Sequence, residues 1–405
     1  MTERFDLVIA GGGAAGLSLA LAVKAAAGTA LSVAVCDPSE ARQAQGDSRA
    51  YAIVAGARRF FQSFGAWEGM AAEAQPMLGM EVTDSALEAP YRQPFLNFLG
   101  NDEADGPFAH MLPNGVLVTA LLARAQALDV TLLPLGISGF DSAGARVHAR
   151  AGDRLLSARL LVAADGRGSK LREAAGIPYY GWRYPQTAIV GTIHHSLAHE
   201  GIAVQHFLPS GPFAMLPLRG NRSSIVWSEE HDIARRMLAL EAEELLEEVN
   251  RRAAGRFGTI TAFERPEAFP LSLGIARSFA GERLALLGDA AHGMHPIAGQ
   301  GLNYGLRGAA ALCEAIIDAA RLGLDIGSAE VLATYERARR PDVMTMVAAT
   351  ETLNRLFSND LGPLRVMRDI GLGLVNRLPG LKRRVMAEAA GDSAPAPRAF
   401  RGLPV

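Results

Sequence analysis

Cysteine is nearly absent from these 405 residues: Cys36 and Cys313 are the two, far apart and matching no ligand spacing. That excludes a disulfide framework and a thiolate metal site, and it fits a reducing compartment. An excess of charge of one sign is lacking as well. Forty Lys and Arg against 42 Asp and Glu leave a net charge of −2, so there is no global electrostatic footprint for nucleic acid and none is expected as a partner. Long apolar runs are missing too. The uncharged stretch 7–23 is interrupted by three consecutive glycines, follows Asp6 and ends at Lys24. It is therefore neither a signal-peptide core nor the run of about 20 residues that a spanning helix requires. The expectation is a soluble chain in the cytoplasm, attached at most to the inner face of a membrane.

What is present is ample material for a core. Hydrophobic residues make up 49% and charged residues 20%, which excludes disorder for the bulk, and the length suits two to three structural units of about 150 residues. Residues 5–10 form a short apolar run, 11–16 a breaker cluster, 17–27 an Ala- and Leu-rich stretch and 31–36 a second apolar run. This reads as strand, turn, helix, strand, and so as a βαβ unit of a parallel sheet. Further on, 49–66 reads as a helix, 73–106 as irregular, and 116–128 as a helix followed by strands near 130–135 and 160–164. From 181 to 227 short alternating runs (188–193, 203–208, 213–218, 224–227) predict antiparallel strands. One charged surface helix is expected over 233–252, a strand at 284–287 and a long helix from Gly299 to about Ala320. The fold class is α/β, a parallel nucleotide-binding unit interrupted by an antiparallel sheet.

Three constellations carry chemistry. Gly11, Gly13 and Gly16 form G-x-G-x-x-G between strand and helix, with Asp37 closing the next strand 21 positions after Gly16. In that context the first glycine makes the turn, the second admits a pyrophosphate to the backbone, the third lets helix and sheet pack, and the acid accepts from a ribose. The motif does not distinguish FAD from NAD. The second, LLVAADGRGSKLRE, ends a strand at Asp165–Gly166 and carries Ser169 and Arg172. The third, LALLGDAAHGMHPIAGQGLN, ends a strand at Gly288–Asp289 and offers a glycine-rich helix start over 299–303. Both place an aspartate at the carboxyl end of a strand, where open α/β sheets bind ligands.

These three motifs, in this order and over nearly the whole chain, resemble the aromatic-ring flavoprotein monooxygenases of the para-hydroxybenzoate hydroxylase type. Within that group the chain is most similar to the ubiquinone-biosynthesis hydroxylases. His295, Pro296, Ala298, Gly299, Gln300, Gly301, Asn303 and Gly305 match their signature, and Asp47–Ala50, FLPSGPFAMLP (207–217), Trp227 and YERARRPD (335–342) match further. The group usually carries an acid where this chain has Gly308, which puts a helix-surface or partner contact in doubt. The resemblance implies a Rossmann-like FAD-binding domain from 1–75, 100–178 and 275–355, and an antiparallel-sheet substrate domain from 76–99 and 179–274. C-terminal helices over 356–391 and a disordered tail over 392–405 complete the expected organisation.

By the same resemblance, Gly11, Gly13 and Gly16 hold the FAD pyrophosphate and Asp37 the adenosine ribose. Arg49 meets a phosphate or the flavin side, Asn114 the ribityl region, Asp165 and Gly166 the groove near the phosphates, and Asp289 the ribityl chain. Pro296, Gly299 and the backbone N–H groups of Gly301, Leu302 and Asn303 face the flavin. A helix N-terminus at that edge also has an independent reason, since it stabilises the negative charge of reduced flavin. The implied reaction is hydroxylation of a prenylated phenol with NADH or NADPH and dioxygen, via a flavin hydroperoxide, without an acid–base triad or a second Rossmann unit for the nicotinamide.

The alternatives are a soluble-phenol hydroxylase or other FAD-dependent oxidoreductase, and a non-catalytic FAD-binding accessory protein. Phe207, Phe213, Met215 and Pro217 are candidates for an aromatic-substrate pocket. His292 and His295 lack a suitably placed further ligand, so no metal is expected, and His194 and His195 should face opposite ways on a strand. Residues 364–384 mix an apolar stripe with cations, a pattern suited to peripheral membrane contact or to simple packing. Assembly with other biosynthetic proteins, or a homo-oligomer, is the remaining partner expectation.

Overall fold

A computed structural model describes residues 2–38, 49–84, 87, 96–99, 106–107, 109–208, 210–294, 299–357 and 396–405. The described α-helices are α1 (Ala14–Ala27), α2 (Ala55–Ser63), α3 (Asn114–Ala127), α4 (Lys170–Ala174), α5 (His231–Leu238), α6 (Ala242–Ala253), α7 (Gln300–Arg321) and α8 (Ala329–Phe357).

The glycine motif opens a six-stranded sheet whose spatial order is Ala280–Gly281, Leu284–Leu286, Leu160–Ala163, Leu7–Ala10, Val33–Cys36, Thr131–Leu133. Every pair beyond the first edge is parallel. Parallel strands are covered on both faces, which is why these segments are apolar at both parities: Leu7, Val8 and Ile9 are all fully buried. Helix α1 packs against α3 and α7. A four-stranded sheet (Thr2–Arg4, Arg154–Ala158, Arg146–Ala151, Ile137–Ala143) flanks this core.

An eight-stranded, mainly antiparallel sheet is built around the long strands Tyr179–His195 and Ile260–Ala276, with Arg222–Glu230, Gly211–Leu218 and Ile202–Leu208 beyond them. Its two faces are used differently. One buries Ile189, Phe213, Met215, Ile225 and Trp227 beneath Leu245, Val249 and Ala253 of α6. On the other, Ala203 and Leu218 pack against Met77, Ala109 and Met111 of a three-stranded sheet, Ala50–Val54, Ala109–Pro113 and Gln75–Met77. That small sheet is the hinge of the architecture, because Ile53 and Leu112 turn the other way into the core around the parallel sheet.

Four sequence expectations are corrected. The helix expected over 49–66 is a strand, Ala50–Val54, followed by α2, since pairing with Ala109–Pro113 claims the first five residues. The irregular stretch 73–106 contains strands Gln75–Met77, Gly79–Asp84 and Leu96–Leu99, each supported by non-local partners. The charged helix over 233–252 is two helices, broken where Glu241 caps α6 in a reciprocal capping box with Glu244. Finally, 396–405 is not disordered. Arg398–Arg401 forms a 3-10 turn, with Phe400 at 1% exposure against Phe60 and its carbonyl oxygen accepting from Arg59 Nε at 2.6 Å. Arg398 pairs with Asp318 at 2.7 Å and Arg321 donates to the Val405 carbonyl oxygen, so this end is stapled onto α7.

Both cysteines are buried. Burial, with Glu3 and Asp37 adding negative field, pushes the Cys36 thiol up to about 12, and burial likewise raises Cys313.

Candidate functional site

At the carboxyl end of Leu7–Ala10 the chain turns through Gly11 at φ +113°, where a Cβ would lie 2.2 Å from the Ala164 carbonyl oxygen. Only glycine fits there. At Gly16 a Cβ would lie 2.1 Å from the Gly11 carbonyl oxygen, so this glycine seats α1 on the sheet. Gly13 differs: nothing lies within 4 Å of its Cβ position. It stands at the N-cap of α1, with no side-chain cap and no acid in the first turn, which leaves backbone N–H groups facing open space. That is the geometry that receives a phosphate. The Asp37 carboxylate accepts from the Gly12 N–H at 2.5 Å and so braces the loop from the adjacent strand tip.

The second helix N-terminus that opens here belongs to α7. Gly299 caps it in the left-handed region at φ +63°, no side chain caps it, its first turn carries no acid, and the Cβ position of Gly301 is also open. The two helix starts meet. The Cβ positions of Gly288 and Gly305 each lie 3.6 Å from Ala15 Cβ, which brings the third motif against the first turn of α1. The two uncapped helix starts and the two cradle glycines fit a dinucleotide, with a pyrophosphate at α1 and an anionic ring edge at α7.

Asn303 has a role that its motif does not announce. Its side-chain amide donates to Ala52 O at 2.7 Å and its Oδ1 accepts from Val54 N at 3.2 Å, clamping α7 to the small sheet. Leu302 packs on the core beside it.

The second motif grips the third. Gly166, at φ +83°, turns the chain after Asp165, whose carboxylate lies 3.5 Å from the Leu171 N–H. Ser169 caps α4 by accepting from Arg172 N at 3.1 Å. The Arg172 guanidinium lies 4.1 Å over the Tyr179 ring and donates to the carbonyl oxygens of Arg167 and Ala290, each at 3.1 Å. Arg167 lies 3.6 Å from Asp289. Crowding by protein atoms raises the Asp289 carboxyl above its usual range, opposed by the cations Arg167 and Arg49. Its side chain still keeps 47% of its surface open, so a ligand reaches it and water moderates the rise. Arg49 stands near Tyr51 and Phe269, and its carbonyl oxygen accepts from Asn114 N at 3.0 Å, placing those two candidates side by side.

Behind α7 lies a buried ionic layer that sequence reading missed. Asp342 pairs with both Arg307 and Arg339, each 2% exposed, and both guanidiniums approach the Tyr304 ring. Tyr335 donates to Leu286 O at 2.8 Å. The segment 335–342 thus fastens α8 to the parallel sheet. Gly308 is interior: a Cβ would come 3.2 Å from Leu287 Cδ1, so the position is a packing site and not a helix-surface contact.

Strand parity divides the four pocket candidates between the two faces of the antiparallel sheet. Phe213 and Met215 lie fully buried under α6, and Pro217 shares their parity and pairs with Ser223. Phe207 has the parity of Ala203, on the face turned toward the small sheet. His194 and His195 do face opposite ways: His194 pairs with Glu264 at 2.9 Å, whereas His195 is buried and 3.0 Å from Ser223 Oγ. Pro296, His295, Asp47 and 364–384 lie outside the described residues.

A family model described as FAD binding domain matches residues 4–350. The chain is 42% identical to Ubiquinone hydroxylase UbiL of Rhodospirillum rubrum, over 99% of this chain and 93% of that one. It is 31% identical to 3-demethoxyubiquinol 3-hydroxylase of Escherichia coli, covering 95% and 98%. Among solved structures, p-nitrophenol 4-monooxygenase PnpA from Pseudomonas putida shares the fold with a TM-score of 0.80 at 18% identity, covering 97% of this chain and 99% of that one. The glycine cradle, the paired helix starts and these likenesses converge on one conclusion: the chain belongs to the FAD-dependent monooxygenases of the ubiquinone-biosynthesis hydroxylase family.

Proposed function

We propose that this protein hydroxylates the aromatic ring of a prenylated phenol in ubiquinone biosynthesis, with FAD as cofactor and NADH or NADPH and dioxygen as co-substrates. The observation that carries the reading is the meeting of two uncapped helix N-termini, α1 at Gly13 and α7 at Gly301, at the carboxyl edge of the parallel sheet.

When bound, FAD accepts electrons from the nicotinamide and activates dioxygen. The chain's own residues do the rest. Gly11, Gly13 and Gly16 admit the pyrophosphate to the backbone, Asp37 and Asp289 take ribose and ribityl hydroxyls, and Asp165 and Gly166 shape the groove wall. Arg49 and Asn114 flank it. The N–H groups of Gly301, Leu302 and Asn303 present positive potential to the flavin's pyrimidine edge, with Gly299 capping the helix before them. Such preorganised dipoles favour the negative charge of the reduced ring. The face of the antiparallel sheet that bears Phe207 is the apolar wall proposed for an aromatic ring and for exclusion of water.

Among the described residues no helix is long and apolar enough to cross a membrane. For a prenylated substrate, peripheral contact with lipid through 364–384 is part of this proposal, and so is assembly with other biosynthetic proteins or with a second copy. The test is direct: purified protein should carry FAD, oxidise NAD(P)H faster when a prenylated phenol is added, and release a product heavier by one oxygen. A colourless polypeptide that added FAD cannot reconstitute would end the proposal.

A further inference from the structure

We propose that Arg167 is a positioning residue of the flavin site, one that sets the orientation and charge of Asp289. The inference rests on the assignment of Asp289 to the ribityl chain and goes beyond it. Arg167 Nη2 lies 3.6 Å from Asp289 Oδ2, while Nη1 donates to Ser272 Oγ at 2.7 Å on the antiparallel strand Ile260–Ala276. The bond to Ser272 holds one nitrogen, and the planar guanidinium then turns the other toward the carboxylate. One Asp289 oxygen is engaged, and the other is the acceptor left for a ligand hydroxyl.

Arg167 and Asp289 are also held in register by their backbones. Arg172, 4% exposed, donates to the carbonyl oxygen of Arg167 and to that of Ala290, next to Asp289, so both sides of the ion pair hang from one buried guanidinium. Gly293 completes the seat: a Cβ there would come 3.0 Å from Arg167 Nε and 3.1 Å from Tyr179 Oη. A carboxylate beside a dinucleotide faces the cofactor's two phosphates, and a fixed cation offsets the repulsion. Among the described residues, the charged and titratable groups whose fields reach Asp289 are Arg167 after Gly166, Arg49 before the strand Ala50–Val54, and Tyr179 on the strand Tyr179–His195.

The experiment titrates cofactor-stripped full-length protein with FAD, following the quenching of flavin fluorescence. Arg167→Met should raise the FAD dissociation constant about three- to tenfold, and Arg167→Lys should restore most of the loss. Affinity of the Met variant should fall more steeply on acidification than the parent's, because the cation that opposes protonation of Asp289 is gone. Asp289→Ala should weaken FAD at least as much, and adding Arg167→Met to it should have no further effect. Ser272→Ala should stay within about twofold of the parent.

If Asp289→Ala leaves FAD binding unchanged, the ribityl assignment itself fails. If it weakens binding while Arg167→Met does not, the assignment stands and the positioning role is overturned. The role is equally overturned if Ser272→Ala matches Arg167→Met and neither steepens the pH dependence, since Arg167 would then be only a tether between the two sheets.

Discussion

The side-chain amide of Asn303 donates to the carbonyl oxygen of Ala52 at 2.7 Å, joining the first turn of α7 to a strand some 250 positions earlier in the chain. The same side chain accepts from Val54 N, so the start of α7 is tied to the small sheet at two points. Asn303→Ala takes the partner from a buried N–H and from a half-buried carbonyl. Each orphaned group costs about 1–3 kcal/mol. Denaturant unfolding should show a loss of about 2–4 kcal/mol, with weaker FAD binding.

Two glycines of one motif should respond in opposite ways. Gly16→Ala places a methyl 2.1 Å from the Gly11 carbonyl oxygen, and the cofactor-free protein should be strongly destabilised or insoluble. Gly13→Ala meets nothing within 4 Å at an extended N-cap. Its melting temperature without FAD should stay close to the parent's, while FAD affinity drops at least about tenfold if the methyl takes the space proposed for the pyrophosphate.

Removing Asp342 strands two buried guanidiniums behind α7. Asp342→Ala should cost about 3–5 kcal/mol in equilibrium unfolding, since the loss of one partner leaves uncompensated buried charge. Asp342→Asn keeps the volume and should lose nearly as much, which separates charge from packing.

Acid should weaken the fold through two histidines. Burial, with Arg339 nearby, pushes His292 down to about 3, and burial with Arg58 pushes His110 down to about 4. The unfolded chain binds these protons near pH 6.5 and the folded chain does not. Their stabilising contribution is therefore complete above about pH 6.5 and declines below it by about 1.4 kcal/mol per pH unit and per histidine, down to the folded values. Urea midpoints measured from about pH 7 to about pH 5 should fall accordingly, and His292→Gln should flatten the slope.

Truncation before Ala396, or Phe400→Ala, should destabilise the dinucleotide-binding core. Phe400 is 1% exposed against Phe60, and such large-to-small changes cost about 3–5 kcal/mol. A thermal melt of the full chain beside the variant decides it, and an unchanged midpoint would refute the packing role of this turn.

What sequence reasoning recovered was local. The glycine turn, the strand ends at Asp165 and Asp289 and the helix start at Gly299 each depend on a few adjacent residues, whose conformational demands are visible in the chain itself. What it missed was set by distant partners. The strand Ala50–Val54 was hidden because its ladder comes from Ala109–Pro113. The packing of Phe213 and Met215 under α6 was hidden because alternation gives the parity of a strand but not which face a neighbouring helix covers. The Pro- and Ala-rich end concealed one aromatic anchor, Phe400, and nothing along α7 reveals how close Gly308 lies to Leu287.

Both thiols are buried with raised pKa values, so at neutral pH neither Cys36 nor Cys313 exposes a nucleophilic sulfur. An oxygenase that turns over without delivering its oxygen releases peroxide beside its own polypeptide. Here that peroxide meets no thiolate, so uncoupled turnover should leave the cysteines unmodified, and any oxidative ageing should be written first on the methionines.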